Sequence, residues 1–250
     1  MTRFAEGRKL LKARFMELRE QPSDYRLGVP QPPLEKPHPA DALLVDLPDP
    51  RAAFPPAVDL FALLESRRSR REFSPDPLRL EQISALLWAT QGVISVIRDG
   101  FATLRTVPSG GSRHPFETYV AASNVDGLAP GIYRYAALKH KLIPVSNPPD
   151  LATSVMDACM RQEFVFTAPA VFLWSAVPYR SEWRYGVAAH KTIAQDSGHL
   201  CQNMYIACEA LGLSTVAIGS YDQKLADELL GLDGDEEFVV YVAPVGWRNH

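Results

Sequence analysis

Only three cysteines occur in 250 residues, Cys159, Cys201 and Cys208. They are too few and too scattered for a disulfide framework or a zinc site. No apolar run approaches the roughly 20 residues that a bilayer-spanning helix needs. Residues 1–9 lack the apolar stretch and small-residue cleavage site of a secretory signal. A surplus of positive charge is missing as well: the formal net charge is -3, which argues against a nucleic-acid binder held by bulk charge. There is no Gly-x-Gly-x-x-Gly or P-loop, hence no dedicated Rossmann nicotinamide domain. Nor is there a Gly-x-Ser-x-Gly elbow for a serine hydrolase. The expectation is a cytoplasmic protein whose partners are neither nucleic acid nor membrane.

What is present suffices for a sizeable core, with 46% hydrophobic and 22% charged residues. Phe4, Leu11, Phe15 and Leu18 recur at helical spacing and predict an amphipathic helix over 3–20. Ten of the 21 prolines then fall between Pro22 and Pro56, which excludes regular helix and favours an extended path. Leu34, Leu43, Leu44, Val45 and Leu47 would be wasted on solvent there, so this stretch reads as an arm laid over a neighbouring subunit. The division expected is an N-terminal helix and Pro-rich arm over 1–56 and a regular domain over 57–250.

From Val58 the pattern predicts helices over 58–66, 79–91, 149–160, 187–211 and 222–230. Strands are predicted over 116–122, 131–136, 141–145, 170–176, 214–218 and 237–245. Helices and strands alternate without strict repeat, and hairpin-linked strands occupy the middle. That is an α+β domain with a mixed sheet.

Two segments carry chemistry. Arg67-Arg68-Ser69-Arg70-Arg71 packs four guanidinium groups into five residues. Such self-repulsion is costly without an anion, and the Arg fork is well shaped for phosphate. A little over thirty residues on, Arg105-Thr106-Val107-Pro108-Ser109-Gly110-Gly111-Ser112-Arg113-His114-Pro115 is rich in small residues. Its backbone can lie flat against a planar ligand. An anion clamp with a flat polar cradle suits a phosphorylated ring cofactor.

These two segments resemble the FMN-dependent nitroreductase superfamily, SagB-type dehydrogenase branch. Gly131-Ile132-Tyr133-Arg134-Tyr135, Asp196-Ser197-Gly198-His199-Leu200-Cys201-Gln202-Asn203, and Ala210-Leu211-Gly212-Leu213 leading to Ala217-Ile218-Gly219 follow in the family's order. The resemblance runs from about residue 60 onward. It implies a mainly antiparallel sheet flanked by helices in an intertwined homodimer, with FMN at the subunit interface. It also implies an oxidoreductase passing a hydride through flavin N5 between a small organic substrate and NAD(P)H or another acceptor.

By that resemblance Arg67, Arg68, Ser69 and Arg71 hold the phosphate and ribityl end, while Arg70 points elsewhere. Pro108, Ser109, Gly110, Gly111 and Ser112 hold the ring from the opposite subunit. Main chain at Ala217, Ile218, Gly219 and Ser220 lies near N5, and Arg248 closes over the phosphate. Arg184, Tyr185 and Trp183, with His114, line the open face of the ring, and no metal takes part. Azoline-oxidising relatives carry Lys-Tyr where Arg184-Tyr185 stands, and Arg stays protonated and is a poor base. The alternative class is a flavin-binding or flavin-sequestering protein without turnover.

Overall fold

The computed structural model describes residues 4–249, the Glu6 side chain excepted. Residues 1–3 and 250, and with them the first position of the helix expected over 3–20, lie outside the described residues. In chain order the strands are β1 Val45–Asp46, β2 Leu78–Arg79, β3 Val93–Ile97, β4 Ala102–Arg105, β5 Phe116–Ala122, β6 Val125–Asp126, β7 Gly131–Ala136, β8 Lys141–Ser146, β9 Ala170–Ala176, β10 Leu213–Thr215 and β11 Phe238–Trp247. The helices are α1 Ala5–Leu10, α2 Leu60–Ser66, α3 Leu80–Gln91, α4 Leu151–Ala158, α5 Glu163–Phe166, α6 Tyr179–Tyr185, α7 Ala189–Ala210 and α8 Gln223–Leu230.

Seven strands make one sheet in the order β1-β8-β7-β5-β9-β11-β10. Every pairing in it is antiparallel. The parallel component of the expected mixed sheet is confined to the two-residue pairing of β2 with β6.

Residues along β5 and β9 are buried on both faces. Val120, Ala122, Phe172 and Trp174 enter one core with Leu86 of α3 and Leu200 and Met204 of α7. Their strand neighbours Tyr119, Ala121, Val171 and Leu173 enter a second core with Val155 of α4 and Ala226 and Leu230 of α8. This period-two division places helices on both sides of the central strands. Asp222 begins α8 by accepting from the Leu225 amide, and Gly231 ends it at φ 68°.

The N-terminal segment departs from expectation. The helix predicted over 3–20 breaks into α1 and a 3-10 turn at Phe15–Arg19. The proline-rich stretch beyond it is fastened to its own chain. Trp183 donates Nε1–H to Val29 O at 2.8 Å, and Arg105 donates to Leu34 O at 3.2 Å. Arg134 donates to Lys36 O and Pro37 O at 2.7 and 3.1 Å. Val45 and Leu47 pack against the first core, whereas Leu43 stays exposed. The carbonyls that a proline-rich path leaves without helix or sheet partners are taken up here by arginine side chains.

Glu117 on β5 is the centre of this fastening. Its Oε1 accepts from the Lys36 amide at 2.7 Å and from Arg180 of α6 at 2.5 Å. Its Oε2 accepts from Arg134 of β7 at 3.1 Å. Burial alone would raise the Glu117 pKa, but Arg180 and Arg134 hold it below the ordinary carboxylate value. The charge therefore stabilises the fold above the unfolded carboxylate pKa, and that contribution is lost as pH falls through the depressed folded value. Replacing Glu117 by Gln leaves two buried cations short of their counter-charge. We expect a loss of about 3–5 kcal/mol at neutral pH, read from urea unfolding midpoints, with the arm becoming protease-sensitive. An unchanged midpoint would contradict this role.

Candidate functional site

The arginine cluster leaves the C-terminal end of α2 and runs beside the far edge of the sheet. The Arg70 amide donates to Thr215 O at 3.0 Å, and Phe73 bridges Arg248. Here the four arginines separate by partner. Arg70 turns onto Glu209 of α7 at 2.8 Å, and Glu209 also ion-pairs with Arg248 at 3.0 Å. Burial would raise the Glu209 pKa, but hydrogen bonding by Ser66 and Arg70 and the charges of Arg248 and Arg70 keep it lowered. Arg67 stands over the Tyr205 ring at 5.1 Å and Arg71 over the Phe164 ring at 5.8 Å. Arg68 donates to the carbonyls of Glu65 and Arg67. Among the described residues Arg67, Arg68 and Arg71 have no carboxylate partner, so three positive charges stand uncompensated.

Tyr205 ties this cluster to the turn after β10. Its Oη is 2.8 Å from Ser69 Oγ and accepts from the Ala217 amide at 2.8 Å. The Ile218 amide is spent on Val242 O. Among the described residues the amides of Gly219 and Ser220 donate to nothing, and a Cβ at Gly219 would meet open space. The main-chain donors left free at this turn are therefore those of Gly219 and Ser220, and those of Ala217 and Ile218 are spent within the chain.

The second segment folds against the other end of α7. Asp196 Oδ2 accepts from Ser109 Oγ at 2.6 Å and from the Gly110 amide at 3.0 Å. Ser109 Oγ in turn accepts from the His114 amide at 2.9 Å. The Ser109 hydroxyl is thereby committed within the loop, while the Ser112 hydroxyl has no partner among the described residues. The glycines also make room for neighbouring helices. A Cβ on Gly110 would strike Thr192, and one on Gly111, at φ 61°, would strike Tyr185 and Arg184. The space on the glycine side is filled by α6 and α7 of the same chain. Pro108 leads into this turn and is exposed.

Arg184 and Tyr185, at the end of α6, thus lie directly on the loop, with Trp183 buried behind them. His114 sits elsewhere than expected. It is 3% exposed, and its Nε2 donates to Thr103 O at 3.2 Å, so it supports the loop from inside and faces no open surface. Among the expected site residues the structure groups Arg67, Ser69 and Ala217 around Tyr205, and Ser109, Gly110, Gly111, Arg184 and Tyr185 around the loop. The two groups hold stretches of α7 nine residues apart, about 13 Å along its axis.

Tyr205, Glu209 and the role of Asp196 were missed from sequence. A signal existed for Glu209: an acidic residue in the last turn of a helix opposes the helix dipole unless cations neutralise it. His190 meets Glu182 at 2.8 Å.

Burial, followed by the charge of Arg105, pushes the His114 pKa down to about 3. The unfolded chain, with an ordinary value near 6.5, takes up a proton first as pH falls. Stability should therefore drop by about 1.4 kcal/mol per pH unit between about 6.5 and 3. In His114→Gln that slope should flatten. Unfolding free energies at pH 6.5 and 5 should differ by about 2 kcal/mol more in the parent than in the variant. Parallel pH profiles would refute the buried neutral imidazole.

Comparison with known proteins places this geometry in context. The nitroreductase family's sequence profile matches residues 64–247. A protein of Methanocaldococcus jannaschii named as a nitroreductase, MJ1384, is 31% identical over 206 residues, covering 82% of this chain and 97% of its own. The trifolitoxin-processing protein TfxB of Rhizobium leguminosarum bv. trifolii is 29% identical over 170 residues, 64% of this chain and 44% of that protein. A Ralstonia eutropha crystal structure described as a nitroreductase superposes with a TM-score of 0.67 at 26% identity, covering 88% of this chain and 99% of the other. The glycine loop, the arginine cluster and the seven-stranded antiparallel sheet lie in that setting: the chain belongs to the nitroreductase family.

Proposed function

We propose that the protein is a homodimeric FMN-dependent oxidoreductase of the SagB-type branch, working in the cytoplasm on a small organic substrate with NAD(P)H or another redox partner. The observation that carries this reading is the sorting of the arginines. Glu209 neutralises Arg70 and Arg248, leaving Arg67, Arg68 and Arg71 with charge to spare around the Ser69 hydroxyl. A terminal phosphate with its two negative charges fits that surplus. The likeness to TfxB supports the branch.

FMN, when bound, supplies hydride transfer, and the chain supplies its placement. Arg67, Arg68 and Arg71 hold the phosphate, with Ser69 fixed by Tyr205 beside it. Arg248, held by Glu209, lies at the same end. The free amides of Gly219 and Ser220 face the ring's polar edge. The Pro108, Ser109, Gly110, Gly111 and Ser112 loop of the partner subunit, stiffened by Asp196, covers the other side. Arg184 and Tyr185 border the substrate's approach. A guanidinium stays protonated, so Arg184 orients and neutralises charge and takes no proton. This favours a reductase over proton abstraction from a ring.

The dimer reading draws on α2, which leads into the arginine cluster and exposes Leu60, Phe61 and Leu64, Phe61 to 76%. Such a face is costly to leave in water. Phe61→Asp should shift sedimentation from dimer to monomer and release FMN with it. A variant that stays a flavin-loaded dimer would place the interface elsewhere.

For the cofactor, the test is an absorbance spectrum of the pure protein and of Arg67→Ala/Arg71→Ala after dialysis against FMN. Each lost Arg–phosphate contact should weaken binding by about ten- to hundredfold, from about 1.5–3 kcal/mol per contact. Equal FMN retention would refute the phosphate assignment, and an adenine-containing flavin on chromatography would refute the choice of FMN. Flavin that NAD(P)H and organic reductants all fail to bleach anaerobically would indicate sequestration without turnover.

A further inference from the structure

The Arg184 guanidinium is short of acceptors. Its Nε and Nη1 are buried with no hydrogen-bond partner, and among the described residues it forms no ion pair. Ring faces surround it instead, with centroids of Tyr25, Tyr185 and Phe101 at 4.8, 5.7 and 5.8 Å. Arg113 shares the Phe101 ring, at 4.6 Å, and also stands 5.5 Å from the Trp183 ring. Arg113 differs in being satisfied, donating to Gly111 O at 3.1 Å and Phe101 O at 2.7 Å. Burial first, and then the charge of Arg184, lower the Arg113 pKa.

Three acids of the neighbouring segments are engaged elsewhere. Asp24 accepts from Tyr179 at 2.7 Å, Glu182 meets His190, and Asp196 holds the loop. Tyr25 and Phe101 also wall a cavity of about 370 Å³, together with Val29 and Trp183; Arg98 and Asp99 line it too. That volume lies within the range of small-molecule pockets.

A desolvated guanidinium with bare N–H groups is unfavourable unless an anion completes it. We propose that Arg184 is the docking point for the carboxylate of a flat organic acid, whose apolar body lies against Tyr25 and Phe101. A single planar fork ringed by aromatic faces suits a planar carboxylate on a planar body. Phosphate, a tetrahedral dianion, has the arginine cluster at residues 67–71. Cation–π contact keeps Arg184 in place between turnovers without consuming its hydrogen-bond donors. The inference rests on the flavin reading for what becomes of the acid, and not for its binding.

The test is calorimetric titration of the full-length protein, with and without FMN, using benzoate, benzamide and phenyl phosphate. Arg184→Gln and Arg184→Lys accompany the parent. The parent should bind benzoate at least about tenfold more tightly than benzamide, as a charge-assisted hydrogen bond provides. Arg184→Gln should close that gap and Arg184→Lys should keep part of it. Where NAD(P)H-dependent turnover is found, the kcat/KM ratio of 4-nitrobenzoate to 4-nitrobenzamide should fall by a similar factor in Arg184→Gln, through KM. Equal binding of benzoate and benzamide by the parent would overturn the proposal. A preference that survives in Arg184→Gln, or Arg184-dependent binding of phenyl phosphate tighter than that of benzoate, would do the same. Arg184-dependent benzoate binding in a protein that takes up no FMN would sink the flavin reading alone. FMN uptake with no benzoate preference would sink this one alone.

Discussion

The buried carboxylate of Glu117 holds together parts of the molecule that sequence distance would otherwise leave independent. It sits on the central strand β5 and joins Arg134 of β7, Arg180 of α6 and the backbone of Lys36. Each of these contacts positions something further on. Lys36 draws the proline-rich arm across the sheet, where its ammonium reaches Glu237 at 2.5 Å and that carboxylate also accepts from Tyr119 and Ser175. Arg180 anchors the helix whose last turn presents Trp183, Arg184 and Tyr185. A buried ion is expensive to desolvate, so such a group persists where several partners share it. Here the shared partners are the arm and the wall of the candidate site.

Helix α7 is the second organiser. Within its 22 residues Asp196 fixes the glycine loop, Tyr205 fixes Ser69 and the Ala217 turn, and Glu209 claims two of the arginines. The helix packs between α3 and the sheet through Leu200, Met204 and Ala207. Its polar side chains reach the segments at its ends because those segments are loops with unpaired backbone. Charge selection follows from this placement. Glu209 takes Arg70 and Arg248, so the remaining arginines are left with positive charge that a ligand can answer.

Much of the architecture was legible from pattern. The strands at 116–122, 131–136 and 170–176 are rich in aromatic and β-branched residues, and the structure returns them with the same limits. Gly212 and Gly231 at positive φ follow two helices, as turn chemistry requires. The hairpin of β3 and β4 is not evident from pattern, because Val93–Ile97 is short and alternates half-buried and exposed residues, none of them fully buried. The short helix α6 was also missed. Its residues carry no strong apolar periodicity, and distant partners hold it at Tyr179–Tyr185: Glu117 on Arg180, Val29 on Trp183 and Asp24 on Tyr179. Periodicity alone predicts a continuous N-terminal helix. With Phe4, Leu11 and Phe15 exposed, little tertiary packing supports that periodicity, and isolated short helices are marginal in water.

By itself the sequence determined which local conformations are affordable and where unusual charge and backbone freedom concentrate. Four arginines in five residues, paired glycines after Pro108 and proline density from Pro22 to Pro56 are local facts with local consequences. Only the tertiary structure decided which arginine is neutralised, which loop amides remain free, and that the proline-rich arm lies on its own chain. Those outcomes depend on side chains that meet across up to about 200 residues, as Lys36 meets Glu237. Pairing across such distances follows from the complete packing of sheet and helices, which no local window contains.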